Sequence, residues 1–355
     1  MSHRASHAPH GIVPPHVLTS IAQRGDAEHR AAARETLLAT ERLRSARALA
    51  AARAAAAAPG AGKRRTVFDA GHGERLPGKV ARTEAGTASP DRAVNEAFDG
   101  LGATYDFFAE VLHRASIDGR GEPLEASVHF GRRYDNAFWN GREMVFGDGD
   151  DRLFHGFTAC LEVVGHELSH GVIDAEAALA YRDQPGALNE SFADVLGVLV
   201  KQWRLRQRAA EATWLVGEGL LAPGVHGVAL RSMKAPGTAY DDRVLGRDPQ
   251  PAHMRDYAHL ADDGGGVHVN SGIPNHAFYL AATAFGGFAW EKAGPIWYDA
   301  LCQGLDARSD FTAAASATAA AARRLHGPTA ASIVRDAWRQ VGVTTGAAES
   351  GLRAS

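Results

Sequence analysis

Cysteine is nearly absent from this chain: Cys160 and Cys302 are the two it has among 355 residues. So few thiols exclude a disulfide framework and fit a reducing compartment or a fold that needs no covalent staples. Charge of one sign is also lacking. The formal net charge is −3, which gives no reason to expect nucleic acid or an anionic membrane as partner. No apolar run reaches the roughly eighteen residues of a membrane span. The opening stretch, from Met1 to His16, has no apolar core of the kind that marks a secretory signal peptide. What is present is ordinary for a soluble globular protein: 45% hydrophobic and 22% charged residues. The length suits two domains or one large one.

The chemistry enters at His166-Glu167-Leu168-Ser169-His170. On a helix, positions i and i+4 share a face, so two imidazoles can point at one ion. Two His ligands suit Zn²⁺, and a catalytic zinc needs one more protein ligand and a water. Glu167 lies beside that metal position, where a carboxylate can take a proton from the water. Val163, Val164 and Leu168 place the motif on a buried helix face. A Glu there without a task would be costly.

The third ligand is sought downstream. In Asn189-Glu190-Ser191-Phe192-Ala193-Asp194, Glu190 and Asp194 are four apart and share a helix face. Glu190 can ligate the metal. Asp194 can accept the free N–H of a ligand His, which fixes the tautomer and raises ring basicity. Leu188, Phe192, Val195 and Leu196 make that helix mostly buried.

Composition divides the chain. Residues 1–25, with Pro9, Pro14, Pro15 and several His, read as a flexible leader. Ala, Arg, Glu and Leu from Asp26 to Ala58 predict a helix capped by Asp26 and stopped by Pro59-Gly60. A basic linker follows at Lys63-Arg64-Arg65. This first part has too few aromatics for a core of its own. From Thr66 to Ala159 the signals favour short strands at 66–68, 79–82 and 126–130, with a helix near 93–114. From Cys160 onward helical patterns dominate: 160–174, 188–207, 274–285, 290–303, 310–325 and 329–340. The expected fold class is α+β with two lobes and the zinc helix in the cleft between them. The expected units are 1–60, a β-rich lobe 61–159, a helical lobe 160–345 and a flexible tail 346–355.

With these motifs in order, the chain resembles the thermolysin family of neutral zinc metalloendopeptidases. Asn136-Ala137-Phe138-Trp139-Asn140-Gly141 is similar to the family's substrate-binding edge strand. Met144-Val145-Phe146-Gly147-Asp148-Gly149, Gly186-Ala187-Leu188-Asn189-Glu190-Ser191, Leu230-Arg231-Ser232-Met233 and Val267-His268-Val269-Asn270-Ser271-Gly272-Ile273-Pro274-Asn275 follow in family order. The likeness runs from about Thr66 to Val343. It implies that His166, His170 and Glu190 hold one Zn²⁺, with Asp194 behind them. It implies that Glu167 moves the proton, that Tyr181 and His268 donate to the oxyanion, and that Asp263 pairs with His268. Arg231 would bind the carbonyl after the scissile bond, while Asn136 and the Ala137 backbone align the peptide as an added strand. Phe154, Phe157, Val163, Val216, Leu220 and Leu230 would line the pocket after the scissile bond, which favours a hydrophobic residue there.

Two departures from the family stand out. The positions aligned with its calcium cluster read Glu162, Lys201, Thr213, Leu215 and Glu218. An ammonium in the cage would repel Ca²⁺, so a Glu162–Lys201 ion pair is expected in place of the main calcium site. The leader also carries Pro14-Pro15-His16-Val17-Leu18, which resembles the P-P-x-x-L motif of protealysin-type members with a brief propeptide. This implies that residues 1–60 cover the cleft as an intramolecular inhibitor until the chain is cut in the 50–66 region. Protein and peptide substrates are the expected partners. Lack of a signal segment leans cytoplasmic, and the family's habit leans secreted by a route without one. Two rival readings are a zinc exopeptidase, for which no residue to hold a free amino terminus is found, and a permanently covered peptide-binding protein.

Overall fold

The structure is a computed structural model and describes residues 11–50 and 62–346. His3, His7, His10, most of the expected cleavage region and nearly all of the tail lie outside the described residues. In chain order, helix α1 (Pro15–Arg24) and helix α2 (Ala27–Ala50) precede strands β1 (Arg65–Asp69) and β2 (Lys79–Thr83). Helix α3 (Arg92–Val111) leads into β3 (Leu124–Val128), β4 (Ala137–Trp139) and β5 (Met144–Phe146). These five strands form one sheet in the order β2-β1-β3-β5-β4. The β1, β3 and β5 strands run parallel, and β4 pairs antiparallel with β5 at the edge.

Helix α4 (Leu161–Glu176) and helix α5 (Asp183–Leu205) open the helical half. Short strands β6 (Leu215–Val216) and β7 (Arg231–Ser232) pair antiparallel. Helices α6 (Asp263–Asn270), α7 (Gly272–Phe285), α8 (Ala293–Gly304) and α9 (Phe311–Gln340) complete the chain. No helix of the described residues is long and apolar enough to cross a membrane.

Residue chemistry explains the ends of several elements. Asp26 starts α2 by accepting from the Glu28 and His29 amides at 3.0 and 2.9 Å. Asp91 caps α3 through the Ala93 amide at 2.8 Å. Both use a carboxylate to satisfy donors that the first turn leaves free. The α4 and α5 helices cross with almost no side chain between them. A Cβ added at Gly197 would lie 2.4 Å from the Glu162 carbonyl, and one at Gly165 would lie 2.9 Å from the Gly197 Cα. This close approach sets the zinc-motif helix against the helix that carries Glu190 and Asp194.

Two expectations need correction. The leader is ordered from residue 11: Gly11 bridges to Phe138 of β4, and residues 15–24 form a helix with Val17, Leu18 and Ile21 buried. Pro14 is extended, with φ −65° and ψ 150°, but Pro15 opens the helix, where its missing N–H costs nothing. The helical stretches expected at 310–325 and 329–340 are two within α9, because the backbone leaves helical geometry at Gly327 (φ 83°, ψ −175°) just before Pro328. Gly264-Gly265-Gly266 lead the sequence to be read as a loop around His268, but His268 lies on α6. Gly264, Gly265 and Gly266 have φ of 59°, 92° and 80°, and the helical turns begin after them.

Candidate active site

Helix α4 buries His166, Glu167 and His170 on the face turned toward α5. The two Nε2 atoms lie 3.2 Å apart. From α5, Glu190 brings Oε2 to 3.5 Å from His166 Nε2 and Oε1 to 3.7 Å from His170 Nε2. Each ring is held from behind. His166 Nδ1 meets Asp194 Oδ1 at 2.7 Å, and His170 Nδ1 meets Asn189 Oδ1 at 2.8 Å. With Nδ1–H donating to these oxygens, each Nε2 lone pair faces the centre of the cluster.

The donor set suits a divalent metal. Two imidazole nitrogens and a carboxylate oxygen converge with all donors within 4.8 Å of one another. Glu190 Oε2 and Glu167 Oε1 are buried and have no hydrogen-bond partner among the described residues. Buried oxygens of this kind are costly without a proton, a water or a cation to meet them. A three-ligand His-His-Glu set with room for water is the pattern of a catalytic zinc.

Glu167 Oε2 accepts the Trp139 amide at 2.9 Å. Burial, with the nearby Glu190 charge added, pushes Glu167 well above the usual carboxylate range despite that amide. A carboxyl so raised is a stronger base than an ordinary one and can take up and release a proton. Asp194 is charged for the opposite reason. Burial opposes its charge, but Arg231 and His166 outweigh burial and hold it below the ordinary range. Arg231 binds it in bidentate fashion, Nε to Oδ2 at 2.9 Å and Nη2 to Oδ1 at 2.8 Å. Asn275 Nδ2 adds a donor to Oδ2 at 2.8 Å.

On the far wall, Tyr181 donates to Glu190 and lies 3.3 Å from His268 Nε2. Asp263 holds His268 twice, through Nδ1 at 2.7 Å and the backbone amide at 3.0 Å. Burial disfavours a charged His268, but Asp263 and Glu190 more than offset it and raise the ring above its ordinary value.

The chain's own leader lies in the groove. The Ile12 amide donates to the Ala137 carbonyl at 3.0 Å, and the Ile12 carbonyl accepts from Arg231 Nη1 at 3.1 Å. Asn136 clamps the next residue: its Oδ1 accepts the Val13 amide at 2.9 Å and its Nδ2 donates to the Val13 carbonyl at 3.1 Å. Ile12 is fully buried, as are Phe154, Phe157, Val163 and Leu230. Farther along, His16 Nε2 meets the Tyr240 hydroxyl at 3.0 Å.

Residues 58–174 match the family model described as thermolysin metallopeptidase, catalytic domain, and residues 177–343 match that described as thermolysin metallopeptidase, alpha-helical domain. The chain belongs to the thermolysin family of metallopeptidases. An "Extracellular metalloprotease" of Pectobacterium carotovorum subsp. carotovorum is 48% identical over 94% of this chain and 96% of its own length. "Protease PrtS" of a Photorhabdus strain is 50% identical over 79% of this chain and 76% of its own. The solved precursor of protealysin, a metalloproteinase from Serratia proteamaculans, superposes with a TM-score of 0.87 at 50% identity. That match covers 94% of this chain and 100% of the other. The protein is therefore a zinc-dependent hydrolase with the thermolysin-like fold, β-containing in its first half and helical in its second.

The expected polar site residues of this thermolysin-family chain are linked by the contacts above, and Asn136, Ala137 and Arg231 meet around the leader at Ile12 and Val13; Phe154, Phe157, Val163 and Leu230 are buried in the same apolar core as Ile12. Sequence reasoning assigned no role to Asn189, to Asn275 or to the Trp139 amide. The first two stand inside quoted motifs and carried a signal in their side-chain chemistry. A backbone amide carries none. Cys160 and Cys302 are free thiols. Cys160 is buried and directs Sγ to the Glu218 carbonyl at 3.5 Å.

Proposed function

We propose that this protein is a zinc endopeptidase made as a latent precursor, with a preference for a hydrophobic residue after the scissile bond. The observation that carries the reading is the seat of Ile12. Its backbone pairs with Ala137, its carbonyl rests on Arg231, and Asn136 clamps the residue that follows. An extended substrate would be held by the same groups as an added strand. Residues 1–60 then act as an intramolecular inhibitor by filling the groove, and an apolar Ile12 in the buried position fits a pocket lined by Phe154, Phe157, Val163 and Leu230.

His166, His170 and Glu190 hold the zinc, which when bound supplies Lewis-acid polarisation of a carbonyl oxygen and of water. The chain's own groups do the rest. Glu167 accepts a proton from the attacking water and delivers it to the departing nitrogen. Tyr181 and His268 donate hydrogen bonds to the oxygen that gains negative charge. Asp263 keeps His268 in place and favours its protonated form. Asp194 orients both His166 and Arg231. Lys201 stands where the family's main calcium would lie, so chelating calcium should leave thermal stability unchanged. The relatives named as extracellular support action outside the producing cell.

Intact mass of the full chain beside its Glu167→Ala variant tests the central reading. The unsubstituted chain is expected to lose about sixty N-terminal residues and then cleave peptides before Leu, Ile or Phe. The variant should hydrolyse peptides slower by about 10²–10⁴, the usual weight of a positioned acid–base group. Equal rates in the two chains, or no gain in activity when the leader is removed from a folded chain, would refute it.

A further inference from the structure

The parallel strands β1, β3 and β5 end side by side, and each is followed by a residue with metal-binding chemistry. His72 lies in the turn after β1, His129 directly follows β3, and Asp148 lies two residues beyond β5. Strand pairing forces them together: the His72 amide donates to the His129 carbonyl at 2.8 Å, and the Phe130 amide donates to the Phe146 carbonyl at 3.0 Å. Asp148 faces both rings. Its Oδ1 is 2.8 Å from His129 Nδ1, and its Oδ2 is 3.3 Å from His72 Nδ1. The three donors lie within 4.8 Å of one another.

A fourth residue completes the arrangement. His129 Nε2 meets Asp91 Oδ2 at 2.8 Å, on the far side of the ring from Asp148. A carboxylate in that place fixes the tautomer that leaves Nδ1 free for a metal and makes it a stronger donor. The same Asp91 caps α3. The cluster is separate from the cleft, and nothing in the proposed peptidase chemistry uses it.

We propose that His72, His129 and Asp148 form a second metal site, oriented by Asp91, that takes Zn²⁺ or a similar divalent transition metal. Two imidazoles with one carboxylate suit this class, whereas Ca²⁺ and Mg²⁺ prefer all-oxygen sets. The His72 side chain is 58% exposed and that of Asp148 36%, so water can complete the coordination. The ion would tie three strand ends to the start of α3 and act as a staple for the β-containing half. Without a metal, the two carboxylates hold a proton on His129 and raise it to about 9.

Zinc content after equilibrium dialysis tests the site. The full chain in the Glu167→Ala background, which keeps the cleft ligands and blocks self-cleavage, is compared with the same chain carrying His72→Ala or Asp148→Asn. The unsubstituted background should retain one zinc more per chain than either variant. Asp91→Asn should weaken that extra ion by about 10–100-fold. Zinc should raise the melting temperature of the background more than that of the variants. Circular dichroism in chelator checks that the variants are folded; His72 is exposed and suits this purpose. Equal zinc content across the background and a folded variant overturns the proposal. His129 would then be an ion-pair bridge between Asp91 and Asp148 and nothing more.

Discussion

Lys201 is one residue that decides a cation question. Its Nζ lies 3.0 Å from Glu162 and 2.8 Å from Glu218. Burial opposes its charge, but the two carboxylates outweigh burial and hold it above the ordinary lysine value. Glu162 also accepts the Glu218 amide at 2.9 Å, and Thr213 donates to Glu218 at 2.9 Å. The carboxylates of this corner are met by the Lys201 ammonium, the Thr213 hydroxyl and the Glu218 amide, which supports the proposal that it does without Ca²⁺. Calcium chelation should leave the melting temperature unchanged. Lys201→Met should cost about 3 kcal/mol, because the buried Glu162 loses its cation. A drop of several degrees on chelation in the unsubstituted chain would sink the idea. At this scale the sequence was informative where charge or helical spacing marked a side chain, and by those marks it was silent for the side-chain amides of Asn189 and Asn275. His166, His170, Glu190 and Asp194 follow from helical spacing, and Lys201 follows from a charge that is wrong for calcium. The partner of His129 was not legible, since Asp148 is 19 residues away and Asp91 is 38 away in the other direction. Strand order brings them together, and no local pattern announces it.

Among the elements, the crossing of α4 and α5 is what makes a site out of three ligands. Gly165 and Gly197 let the two backbones touch, so His166 from one helix and Glu190 from the other can share an ion. Gly197→Ala puts a methyl group within 2.4 Å of the Glu162 carbonyl and 2.8 Å of the His166 amide. Backbone atoms cannot swing aside, so the helices must part. The expected cost is about 1–3 kcal/mol of stability. Zinc affinity should fall with it, because α4 carries the motif. Denaturant unfolding and zinc competition with a chelator measure the two effects. Unchanged zinc affinity in a folded variant would show that the crossing does not set ligand spacing. The α4 and α5 helices were legible from apolar spacing, although α5 begins at Asp183, five residues before the pattern suggests. The α6 helix was not legible, since three consecutive glycines read as loop. They are loop by dihedral angle, yet they deliver His268 onto a helical turn beneath Tyr181.

For the molecule as a whole, the question is what keeps the groove filled. The leader bridges to β4 across more than 120 residues of sequence, a pairing no local signal encodes. Composition gave a flexible leader, and the P-P-x-x-L resemblance gave a covering one. The observed packing of Ile12, Val17, Leu18 and Ile21 agrees with the second. Surface ion pairs such as Arg152 with Asp26 at 2.6 Å join α2 to the body, but both side chains are about half exposed and contribute little. The apolar anchors should therefore decide occupancy, and Ile12 sits nearest the chemistry. Ile12→Asp removes a buried side chain worth about 1.5–3 kcal/mol. It also brings a carboxylate toward Glu167 and Glu190, where burial resists further negative charge. The open groove should become about 10–100-fold more populated. The uncut Ile12→Asp chain should then hydrolyse a short peptide at once, at least about tenfold faster than the uncut parent. Intact mass at the same time point must show that residues 1–60 are still attached. If the uncut variant is as silent as its parent, the leader is held by contacts spread along α1 and α2 rather than by the strand in the groove, and latency would have to be broken by cutting the chain.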